Sequence, residues 1–218
     1  MTYQEILKNE EVNAYIKKGN ANLDVLGFTD HSQAHSGLVA ERAAEILQKL
    51  GYSEHEMELA KIAGYMHDIG NVINRKNHGE YGAILANDIL KQTDMPLDDR
   101  VIVVSAIGNH DEGTGGAKDP VSAALIIADK TDVRRNRVRN TVIATFDAHD
   151  RVNYAVLDST LTIDVQKKII QMDMTLDESM CTVLDYFEIF LDRMVMCRRA
   201  AEKLGCTFKL RANGSKLC

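Results

Sequence analysis

Between residues 35 and 133, apolar residues recur with the period of a helix, and each run carries a histidine or an aspartate on its inward side or at its end. His35 precedes Val39 by one turn on a stripe formed by Leu38, Val39, Ala43, Ile46, Leu47 and Leu50, and Gly51 stops that helix. A second helix is expected over residues 53–69, with Leu59, Ala60, Ala63, Met66 and His67 inward and Gly70 as its stop. The stretch "YMHDIGN" at its end sets His67 and Asp68 side by side where a core should be. A third helix opens near Asn77, beside His78, and runs to about Leu90. A fourth spans residues 98–109 and leads into His110. Asp119 and Pro120 supply an N-cap and a first-position proline for a fifth, which continues through "VSAALIIADKTDV" and carries Asp129.

The chain therefore brings His35, His67, Asp68, His78, His110 and Asp129 to helix ends or inward faces. One buried histidine is commonly a satisfied core residue. Several imidazoles and two carboxylates in one core would cost several kcal/mol per uncompensated charge. A divalent cation removes that penalty, because it pairs the carboxylates and uses the neutral imidazoles. Mixed nitrogen and oxygen donors suit Fe, Mn, Co, Ni or Zn better than calcium, with Mg also open. His31 competes with His35 for the first position, but only His35 has the apolar stripe behind it. His55 and His149 sit among polar residues and are expected to be exposed.

Beyond about residue 140 the texture changes. "NYAVLDSTLTIDVQ" and "KKIIQMDMTLD" alternate apolar and polar residues and read as two antiparallel strands. A long helix over residues 179–204 and a strand at "CTFKLRA" complete a β-β-α-β unit. The expected fold class is mainly α, a helical bundle over residues 1–140 with a small α+β C-terminal unit over residues 141–218. The methionines between 172 and 196 read as core filler rather than a cofactor site. All four cysteines fall in that unit without a C-x-x-C pair, so reduced thiols and a cytoplasmic location are expected, and no structural zinc on them. A net charge of −6 argues against general binding to nucleic acid or membrane. No leader-like or membrane-spanning apolar run is seen.

The order His35, His67-Asp68, Asp129 resembles the HD superfamily of metal-dependent phosphohydrolases, with "MHDIG" and "IIADKTD" as the matching phrases over about residues 30–135. The resemblance implies an HD-type bundle with a metal at its centre. His78 in "NHGEYGAILA" and His110 in "GNHDEGTGG" extend the likeness to two-metal members such as the HD-GYP phosphodiesterases and the diadenosine tetraphosphate hydrolases. The chain matches neither fully. It has Asn109-His110 where HD-GYP proteins have two histidines, and it lacks their Gly-Tyr-Pro element, which argues against a cyclic di-guanylate substrate. It has Asn71 where many members carry a lysine.

The ligand set then implies a mechanism. One metal takes His35, His67, Asp68 and Asp129; a second takes His78 and His110, with Asp68 shared. Metal-bound hydroxide attacks a nucleotide or other small phosphoester, so His67 and Asp68 are the candidate catalytic residues. Arg75, Lys130, Arg134 and Arg135 are candidate substrate binders. Asn109 and Asp111 flank a ligand and are candidates to orient it. The alternatives are a mononuclear enzyme, a degenerate HD module that binds a nucleotide as a non-catalytic sensor, and a plain scaffold. The C-terminal unit is a candidate dimerisation surface, lid or regulatory domain, and its open strand edges would suit pairing into a homodimer.

Overall fold

Side-chain caps set where most of the helices begin. A computed structural model of the protein describes residues 1–218. Ser53 and Glu56 form a reciprocal capping box that opens α4 (Glu54–Met66), and Asp119 with Ser122 does the same for α7 (Pro120–Lys130). With α3 (Gln33–Lys49), α5 (His78–Leu90) and α6 (Leu97–Gly108) they make the helical bundle. Gly51, at φ +83°, ends α3 in the left-handed conformation that glycine adopts without strain. α3 and α4 approach so closely that a Cβ on Gly64 would lie 2.7 Å from the Cα of Ala40.

The helix ends differ from the sequence expectation at two places that matter. α4 stops at Met66 rather than residue 69, and residues 69–72 form a short 3₁₀ turn. The His67 ring donates to the Gly64 carbonyl at 2.8 Å, which occupies an acceptor of the last turn. Gly70 is therefore not a helix stop. Its role is contact, since a Cβ there would sit 2.0 Å from the His78 carbonyl oxygen. Likewise α7 ends at Lys130 instead of running to residue 133. The Thr131 hydroxyl donates back to the Ile127 carbonyl at 2.6 Å, and Asp132 turns out of the helix.

Three helices had no counterpart in the sequence reading: α1 (Tyr3–Leu7), α2 (Glu10–Val25) and α8 (Ala148–Ala155). α2 packs against the 69–72 turn, where Asn22 Nδ2 donates to the carbonyls of Asn71 and Val72 at 3.4 and 3.1 Å.

The C-terminal unit comprises β1 (Val156–Asp164), β2 (Ile169–Leu176), α9 (Val183–Lys203), β3 (Thr207–Ala212) and a two-residue β4 (Ser215–Lys216), in the order β1-β2-β3-β4. β1 and β2 pair antiparallel, Thr160 opposite Asp173, while β2 and β3 are parallel, Ile170 opposite Phe208. A parallel pair needs a crossover, and α9 supplies it. Tyr186, Phe190, Met194, Cys197 and Ala201 bury its inward face, which packs on α7 and β3. The apolar core is continuous across residue 140, from Ile6 through Leu125 and Cys197 to Leu210. Cys181, Cys197 and Cys206 are buried free thiols and Cys218 is exposed. No helix is long and apolar enough to cross a membrane.

Candidate metal centre

Four imidazoles are held in the same manner. His67, His78 and His110 each place Nδ1 against the backbone carbonyl three residues earlier: Gly64 at 2.8 Å, Arg75 at 3.0 Å and Ile107 at 2.6 Å. His35 Nδ1 meets Asp132 Oδ2 at 2.7 Å. A carbonyl oxygen can only accept, so the proton sits on Nδ1 and the Nε2 lone pair is left for something else. All four Nε2 atoms face one space that also receives Asp68 and Asp129.

That space has two halves. In the inner half, His35 Nε2 lies 3.4 Å from Asp129 Oδ1 and 3.8 Å from Asp68 Oδ2. His67 Nε2 lies 3.2 Å from Asp68 Oδ2 and 3.6 Å from Asp129 Oδ1. In the outer half, His78 and His110 turn to the other oxygen of Asp68, Oδ1, at 3.4 and 4.0 Å. Their two Nε2 atoms stand only 3.1 Å apart, an arrangement of two lone pairs that cannot be a hydrogen bond while both protons are on Nδ1. Arg75 Nη1 reaches His78 Nε2 at 3.3 Å.

The fit to a cation is visible in what lacks a partner. His35 Nε2, His67 Nε2 and Asp68 Oδ2 are buried with no hydrogen-bond partner. An unsatisfied buried polar atom costs about 1–3 kcal/mol, more for a charged one, and three converging on one point is not a packing solution. Two groupings have donor atoms close enough to hold an ion: His35 with His67 and Asp129, and His67 with Asp68 and His110.

Charge in the cluster is strongly organised. Burial alone would lower the His67 pKa, but Asp68 and Asp129 outweigh it and raise it to about 10. Burial lowers His78 to about 4, Arg75 and Lys130 adding to the effect, and lowers His110 to about 3 with help from His78 and His67. Against the opposing effect of burial, Lys130 and the neighbouring imidazoles hold Asp129 well below the usual carboxylate range, and His67 does the same for Asp68. At neutral pH His67 thus holds a second ring proton, while His78 and His110 are neutral.

The supporting residues include some that sequence reasoning passed over. Asn71 holds Asp68 through Nδ2, at 2.8 Å to Oδ1 and 3.0 Å to the carbonyl. Asp132, fully buried, positions His35 and is itself gripped by Arg134 Nε at 2.6 Å and by the buried Arg137. Its signal was its place three residues after Asp129. Lys130 is buried between Asp129 and Glu112, 2.8 Å from each, and Glu112 also accepts from Arg193 Nε of α9 at 3.0 Å. Arg193 lies on the apolar stripe of α9 between Phe190 and Met194, which was the available sign that it points inward. His31 also lines the mouth of the cluster, its Nδ1 on the Thr29 carbonyl at 2.6 Å.

Of the expected substrate binders, Arg75 and Lys130 line the small cleft over Asp68, His78 and Asp129. Arg134 is engaged behind His35. Arg135 lies over the Tyr154 ring and donates to the Tyr154 carbonyl at 2.5 Å, with Asp177 3.5 Å away, so the structure does not bring it to the cluster. Asn109 spends its amide on the Ser105 carbonyl, at 2.9 Å, rather than on a ligand, whereas Asp111 Oδ1 lies 4.0 Å from both His78 Nε2 and Lys130 Nζ. His55 and His149 are exposed.

The sequence matches the family model of the HD domain over residues 33–151, more than half of the chain, and the protein belongs to the HD domain family. An uncharacterized protein of Methanocaldococcus jannaschii is 28% identical over 200 residues, covering 81% of this chain and 76% of the relative. The crystal structure of a predicted HD superfamily hydrolase from an uncultured Thermotogales bacterium, 23% identical, aligns with a TM-score of 0.45 over 62% of this chain and 75% of that one.

Proposed function

We propose that this protein is a metal-dependent phosphohydrolase that acts on a nucleotide or another small phosphoester. The observation that carries the reading is the convergence of four Nδ1-anchored imidazoles on a carboxylate, Asp68, that turns one oxygen to each half of the cluster. His35, His67, Asp68 and Asp129 would hold one divalent ion, and His78 and His110 a second beside Asp68. Such ions supply Lewis acidity and a water of lowered pKa. The chain's own residues do the rest. Asn71 and Asp132 fix the directions of Asp68 and His35, and Lys130 keeps Asp129 ionised. Arg75 and Lys130 bring cationic donors to the cleft where an anionic substrate would sit. In the hydrolysis one water is consumed, its oxygen bonds to phosphorus, the ester P–O bond breaks, and the leaving oxygen takes a proton.

One observation favours a mononuclear version: Arg75 already occupies His78 Nε2, as a second ion otherwise would. Elemental analysis of anaerobically purified protein, beside His78→Ala, separates the two. Two ions per chain falling to one supports the dinuclear site, and one ion unchanged by the substitution supports the mononuclear one. A panel of nucleotides and simple phosphoesters then tests the activity. Metal binding without hydrolysis of any of them would return the non-catalytic sensor to the front. Pairing of two copies along the open β1 edge is a separate proposal, tested by the particle mass in solution.

A further inference from the structure

Outward from the metal cluster the cleft widens into a cavity of about 450 Å³, the size of a small-molecule site. The inner and outer spaces share Thr29, His31, Arg75 and Arg193, which therefore form the neck between them. Arg75 and Arg193 are built alike. Each lies over a phenylalanine that also lines the outer cavity: Arg75 over Phe28 with its guanidinium carbon 5.5 Å from the ring centroid, and Arg193 over Phe190 at 4.6 Å. Arg193 makes its one protein hydrogen bond through Nε, to Glu112, and this leaves both Nη groups for another acceptor. Arg137, the other guanidinium lining the inner space, is not available in this way, because its Nε and both Nη groups already donate to the carbonyls of Asp30 and Asp132. The far wall of the outer cavity has the opposite sign, with Asp147 capping α8, Asp150 in its first turn, and no lysine or arginine outside the neck.

We infer that Arg193, delivered by the C-terminal helix, is a substrate-binding residue that forms a two-armed phosphate clamp with Arg75 at the neck. The inference rests on the phosphohydrolase reading and specifies its substrate: a compact phosphoester with one anionic end. The phosphate sits at the neck, and the organic group projects into a cavity whose acidic wall accepts neutral or hydrogen-bond-donating groups. A chain of further phosphates running outward would meet Asp147 and Asp150, so polyphosphate tails and nucleic-acid strands are disfavoured. The C-terminal unit is then part of the site: it supplies one arm of the clamp, and Glu112, through Lys130, ties that arm to the metal cluster.

The test is calorimetric titration of the metal-loaded protein with inorganic phosphate, the product of any monoester. Arg193→Gln should weaken binding about tenfold or more, as expected for loss of a charge-assisted donor pair. Metal content should stay unchanged, and Arg198→Gln, at an exposed position of the same helix, should bind as the parent does. Parental phosphate affinity in Arg193→Gln overturns the inference. If that variant does not fold, Arg193→Lys decides, since it keeps the charge beside Glu112 but loses the fork; parental affinity there overturns the inference as well. Because the readout is binding, a clamp that loses phosphate in a protein that hydrolyses nothing would sink the phosphohydrolase reading and leave the anion site standing.

Discussion

The two halves of the cluster are built from the same side chains but differ in what holds them. The inner half closes on itself: His35 and His67 come from helices in backbone contact, Asp129 is braced by Lys130, and the Nε2 atoms have no protein partner. The outer half is looser, with His78 and His110 facing each other and Arg75 within reach of one of them. Apart from the His67 proton the inner half has nothing to give up, while the outer half must first displace a resident guanidinium from His78. The inner half should therefore hold its ion more tightly.

The largest effect should come from separating the halves. Gly70→Ala forces a Cβ against the His78 carbonyl and should cost about 4 kcal/mol, the range of severe core clashes. Denaturant melts read this directly, and a loss under about 1 kcal/mol would mean the turn and α5 slide apart freely. Next, Asp132→Asn should weaken metal retention and activity by about 10–100-fold, the usual effect of removing the group behind a histidine ligand. Metal titration checks it, and His78 and His110 should be untouched. In a two-ion protein, chelator challenge should then strip the outer ion first, and His78→Ala should leave the slowly released fraction as it was. Equal release rates for both ions would erase the distinction.

The smallest effect is a slope. With His67 raised to about 10, the metal-free inner half holds a proton at pH 7 that an ion must displace. Because that proton is bound below its pKa, the apparent affinity should rise about tenfold per pH unit through neutrality and level off as pH approaches 10. His78 and His110, neutral above about 4, add no slope there. Calorimetry in buffers of different ionisation heat would show the proton released, and a flat profile would place it elsewhere.

The helices of the bundle were legible because their stripes follow one period, and so were the strands, whose alternation Ile170, Met172, Met174 marks a single buried face. The six ligand candidates were legible because charge on an inward face is costly enough to be conspicuous. What stayed hidden was held by long-range contacts. α2 is a modest stripe whose importance lies in bracing Asn71 and Val72, and nothing local announces that. Arg134 and Arg135 read as a basic run beside Asp129, yet the end of α7 at Lys130 sends one behind His35 and the other to Tyr154. Periodicity reports which face of an element is buried, but it is silent on which distant group a long cation will find.

Gly64 gives the inner half a further property. Its missing side chain lets α3 come against α4, and its carbonyl fixes the His67 ring. The spacing between His35 and His67 is thus gauged by two backbones rather than by adjustable side chains. Such a fitting has almost no play: drift elsewhere on the two helices leaves it unchanged, while a single methyl at position 64 would reset it. The residue with the least chemistry is the one that calibrates the opening for the ion.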